Sequence, residues 1–151
     1  MLVRNLVLSF VLIASACLCP AWAQESKITV SVDHSGDDNI GVRLAFAVRE
    51  AIRASSGYRL VSENAVLRIS LITIDPERSP AAGGVWTVAA ISYTMRNDLP
   101  LDKSNPQTWY PINLSASVIT AGYSRVDDQA KAVLAGLDKQ VDLYRRSARG
   151  N

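Results

Sequence analysis

The stretch "KITVSVDHSGDDNIGVRLAFAVREAIRASSG" (27–57) carries the first two elements of the fold and the turn between them. Ile28, Val30 and Val32 alternate with Thr29 and Ser31, the period-two pattern of a strand with one buried face. "HSGDDN" breaks that pattern as a loop, and Asp37, Asp38 or Asn39 is placed to cap a helix that starts at its end. Beyond it, Ile40, Leu44, Ala47, Val48, Ala51 and Ile52 recur at helical spacing, with Arg43, Arg49, Glu50 and Arg53 elsewhere. That spacing predicts an amphipathic helix, closed at "SSG", where Gly57 suits a left-handed cap.

Downstream, "YRLV" reads as a short extended piece leading into the sheet. Three strands come after it: "AVLRISLITI" (65–74), "VWTVAAISYTM" (85–95) and "WYPINLSASVIT" (109–120). Their connections, "DPERSPAAGG" and "RNDLPLDKSNPQT", are rich in the residues of hairpin loops. Asp127 or Asp128 is expected to cap a last helix, in which Ala130, Val133, Leu134, Leu137, Val141 and Tyr144 share a face. The order is β-α-β-β-β-α. A right-handed crossover makes the first two strands parallel, and the meander after them is antiparallel. Val85, Thr87, Ala89, Ile91, Tyr93 and Met95 share one face of the third strand, and Tyr110, Ile112, Leu114, Ala116 and Val118 one face of the fourth. The opposite faces are rich in Ser, Thr and Asn. The expected fold is therefore α+β: a two-layer sandwich, with a four-stranded mixed sheet and two helices on one face.

The amino terminus reads as an export signal. "MLVRN" carries one cation, an uncharged apolar run comes next, and Ala21 and Ala23 flank Trp22 before "QES". This is the pattern of a secretory signal peptide over 1–23, cut after Ala23, with one α/β domain over 24–151. Both cysteines, Cys17 and Cys19, then leave with the leader. The competing reading is a lipobox at "ASAC" (14–17), with Cys17 lipidated; Ala14 stands where Leu, Val or Ile is usual. Periplasmic or secreted placement follows from the first reading, and an outer-membrane lipoprotein from the second. Of the sixteen Lys and Arg, only Arg4 precedes the cut, leaving fifteen cations against fourteen carboxylates. That near-neutral balance argues against nucleic acid, which calls for a concentrated basic face. The tail cations Arg145, Arg146 and Arg149 suit a helix C-terminus, so membrane contact is expected only through a lipidated Cys17.

No catalytic constellation is legible. His34 is the only histidine. "DHSGDD" gathers Asp33, His34, Asp37 and Asp38, which could hold a cation but which helix capping in a polar loop explains more simply. "GYSRV" (122–126) lacks the second glycine of a nucleophile elbow, and "AAGG" (81–84) is a hairpin tip rather than a phosphate loop. An enzyme is not expected, and neither is a cofactor. The run "GVRLAFAVREAIRASSGYRLVSENAVLRISL" (41–71), helix then glycine turn then strand, resembles the amino-terminal domain of TolB. It also resembles the curli-secretion, penicillin-binding-protein-activating and lipopolysaccharide-assembly lipoproteins. Asn64-Ala65 stands where those families usually carry Ala-Asp. The resemblance is one of topology, over most of residues 27–144, and carries over no functional residue. It implies a binding or assembly role at the bacterial envelope.

Strand parity marks one candidate contact surface. Trp86 and Val88, with Ile72 and Ile74 of the preceding strand and Ile119 of the next, are expected together on the otherwise polar open face. Trp109 falls at the other end of the sheet, on the order of 30 Å away at ~3.3 Å per residue. An exposed apolar patch of this kind is a site for a protein partner, unless the "SPAAGG" loop or the basic tail folds over it. Three readings stand: a non-enzymatic binding module of an envelope complex; a small metal-binding protein or enzyme using the Asp33–Asp38 loop; and a carrier of an apolar ligand between sheet and helices.

Overall fold

A computed structural model describes residues 27–77, 84–97, 104 and 110–150. The expected signal peptide, Cys17, Cys19, the "SPAAGG" segment (79–84) except Gly84, and Trp109 lie outside the described residues. The elements are β1 (Ile28–Ser35), α1 (Asn39–Ala54), β2 (Tyr58–Leu60), β3 (Leu67–Ile74), β4 (Trp86–Arg96), β5 (Pro111–Gly122), a single 3-10 turn (Tyr123–Arg125) and α2 (Val126–Arg149).

The sheet has five strands, in the order β2-β1-β3-β4-β5, and not the four expected. The additional strand is the "YRL" piece, which pairs parallel to β1 from Ile28↔Tyr58 to Val30↔Leu60. Three residues are too few to show an alternating pattern. Tyr58 nevertheless fixes the strand in place: its ring is buried and its Oη donates to Asp138 Oδ1 at 2.6 Å, tying the sheet edge to α2. β1 and β3 are parallel, and β3, β4 and β5 form an antiparallel meander, as the order of elements requires.

Both helices cover one face. Leu44, Val48 and Ile52 of α1 and Val133 and Leu137 of α2 close a core over Val30, Ile69, Leu71, Ala89 and Ile91. α2 crosses this face diagonally, since the buried Tyr93 of β4 donates to the Val133 carbonyl and Tyr58 of β2 reaches Asp138 one turn later. Gly136 makes the crossing possible, because a Cβ there would lie 2.5 Å from the Tyr93 hydroxyl.

The caps differ in part from expectation. Asp38 caps α1 by accepting from the Gly41 N–H. α1 ends in extended backbone at Ser55, and Gly57 is not left-handed; the positive-φ glycine among the described residues is Gly36, at φ +145. Asp127 and Asp128 lie inside the first turn of α2 rather than capping it, where their negative charges complement the positive end of the helix dipole.

The largest departure is in β5. Tyr93 pairs with Ser115 but Thr94 with Asn113, so Leu114 is an extra residue, a β-bulge. Because side chains alternate faces, one added residue exchanges the faces of everything beyond it. Ile112 keeps the helix-side position opposite Met95, whereas Ala116 and Val118 turn to the open face and Ser115, Ser117, Ile119 and Ala121 turn to the helices.

Candidate partner surface

The open face is built on the register of the meander. Ile72 pairs with Ala90 and Ala90 with Val118, while Ile74 pairs with Val88 and Val88 with Thr120. These two rows run across three strands on the face that carries no helix. Ile72 is 62 % exposed, Ile74 48 % and Val118 69 %. Ser70, Ser92 and Ala116 beside them are small, which leaves a shallow trough of about 310 Å³ along Ile72, Ala90 and Val118.

Of the five residues expected at this surface, Ile72, Ile74, Val88 and Trp86 come together on it. Ile119 does not. It pairs with Ala89 and packs, partly buried, against the core beneath the helices. The Leu114 bulge is the physical reason, and it brings Val118 into the patch in place of Ile119. Trp86 stands opposite Gly122 at one end of the patch, half-buried, and its indole N–H donates to Glu77 Oε1 at 2.9 Å. Its polar atom is therefore satisfied within the chain. The most exposed part of the surface lies away from it, at Ile72 and Val118.

The residues of the "DHSGDD" loop disperse. Asp33 pairs with Arg68 at 3.3 Å on the open face. His34 turns to the other side, its Nε2 2.8 Å from Thr73 Oγ1. Burial, assisted by the Arg49 charge and opposed by Asp38, lowers its pKa below the usual histidine value. Asp38 is spent on the α1 cap and Asp37 is exposed. Among the described residues no three His, Cys, Asp or Glu side chains form a group that could hold a metal ion.

The space that an apolar carrier calls for exists as a groove of about 480 Å³ at one end of the sandwich. Ile28, Leu67, Met95 and Leu114 form its floor, Val141 and Tyr144 its wall, and Lys27, Arg59 and Arg145 its rim. Sequence periodicity carries no sign of it, because it depends on α2 crossing away from the start of β5. Among the described residues no helix is long and apolar enough to cross a membrane.

No family model matches the chain, and no curated protein matches it. Among solved structures, a hypothetical protein from Chlamydia trachomatis is similar with a TM-score of 0.37 and 6% identity, over 64% of this chain and 72% of that one. The rare lipoprotein B from Shewanella oneidensis is similar with a TM-score of 0.33 and 16% identity, over 77% of this chain and 98% of that one.

Proposed function

We propose that this chain is an exported, non-enzymatic binding module that docks on a protein partner in a bacterial envelope complex. The observation that carries the reading is the row Ile72–Ala90–Val118, apolar side chains on a sheet face that no helix covers among the described residues. Exposed apolar surface of this kind is uncommon unless something binds it. The leader pattern over 1–23 supports the envelope location, and lipidation at Cys17 would tether the same module to a membrane. Of the four residues on which a metal or catalytic reading rests, Asp33, His34 and Asp38 are engaged in structural contacts and Asp37 is exposed. The near-neutral charge balance of the domain argues against nucleic acid as the partner.

The test is Ile72→Glu, compared with wild type in capture from cross-linked envelopes. Ile72 is 62 % exposed, so its thermal midpoint should stay close to wild type while the captured partner is lost. Capture of the same partner by both proteins would refute the assignment of this face.

A further inference from the structure

The two edges of the sheet are unlike. At one edge β2 is three residues long and presents little free backbone. At the other, β5 runs for twelve residues, Pro111–Gly122, and carries no charged side chain. Sheet edges offer unpaired N–H and C=O groups to any passing strand, and proteins usually block them with lysines, prolines, bulges or short strands. In β5 the one proline is its first residue, and the bulge at Leu114 disturbs only the first third. From Ser115 to Gly122 the pairing with β4 is regular, so the outer backbone groups recur in register along that run. Among the described residues no strand pairs with the outer side of β5, and α2 runs from the end of β5 towards Tyr58 on the far side of the sheet.

We infer that β5 pairs antiparallel with β5 of a second copy of this chain, joining two sheets into one across a two-fold axis at Val118. Antiparallel symmetric pairing needs an axis perpendicular to the sheet, so the open faces of both copies lie on the same side. Directly opposed residues must also share a face. An axis through Val118 meets both conditions near the middle of the regular run. Val118, 69 % exposed in one copy, then meets its own counterpart, and Ala116 of each copy faces Thr120 of the other. A two-fold brings every residue near the axis close to its own kind, so a charge there would repel itself. β5 has none, which makes the edge compatible with itself. The pairing also joins the two Ile72–Ala90–Val118 rows into one apolar strip twice as long.

Sedimentation equilibrium on the exported protein tests this directly. Wild type should dimerise. Val118→Lys should stay folded by circular dichroism and raise the dimer dissociation constant by about tenfold or more, since it sets two like charges opposite each other. Val118→Cys should form a disulfide-linked dimer under mild oxidation, with wild-type protein treated identically as the control for Cys17 and Cys19. A wild-type monomer, a Val118→Lys protein that dimerises as before, or a dimer that Val118→Cys fails to link overturns the proposal. Ile72→Glu lies two strands away and should leave the dimer intact, so loss of the partner and loss of the dimer are read separately.

Discussion

Leu137→Ala should lower the stability of the domain by ~2–5 kcal/mol, read as a fall in urea midpoint with an unchanged slope. Leu137 is the fully buried centre of the α2 stripe, with no accessible surface, and it belongs to the one core that both helices share over the sheet. Truncation removes transferred apolar surface and leaves a cavity. Tyr58–Asp138 and Tyr93–Val133 pin the helix on either side, so the backbone has little room to collapse into it. Lys139, two residues on, is exposed, and its replacement by Ala should change stability by less than ~0.5 kcal/mol. Equal midpoints for the two variants would show that α2 packs by a different face.

Gly36→Ala should cost about 3 kcal/mol through a different mechanism. Gly36 has φ +145, where an L side chain is strained. An added Cβ would also lie 2.5 Å from the Thr73 carbonyl oxygen, with the Thr73 hydroxyl closer still. Thr73 is buried and its Oγ1 is the partner of His34 Nε2, so relief of the clash would separate β3 from the end of β1. The measurement is the urea midpoint together with the His34 titration by NMR. His34 should move back towards an ordinary histidine pKa as its burial is relaxed. Ser35→Ala, at the exposed neighbouring position, is the control and should leave both unchanged. A Gly36→Ala protein as stable as wild type would show that this turn is not close-packed on Thr73.

The fold is most legible in the sequence where a pattern persists over several turns or pleats. β1, β3 and β4 alternate without interruption, α1 and α2 each carry an apolar stripe, and the chain order then allows few topologies. β2 is not legible as a strand because its evident feature, a buried Tyr58, is a long-range contact with Asp138 on α2. In β5, simple alternation places the residues beyond Leu114 on the wrong face. "PINLSASVITAG" has apolar residues at 112, 114, 116 and 118 but also at 119 and 121, so both parities are represented. That change of parity is the signal for a bulge, and it exchanges Ile119 for Val118 in the candidate surface. The groove beside Tyr144 is beyond any periodicity, since its lining comes from all five strands and the far end of α2.

The central claim is that the helix-free sheet face carrying Ile72 and Val118 is the contact surface for an envelope partner. Its most direct test places a photo-activatable cross-linking residue at Ile72, and separately at Lys139 on the solvent side of α2, in cells exporting the protein. The account predicts a discrete adduct with one envelope protein from position 72 and none from position 139. Adducts of equal yield from both positions, or from 139 alone, would contradict it.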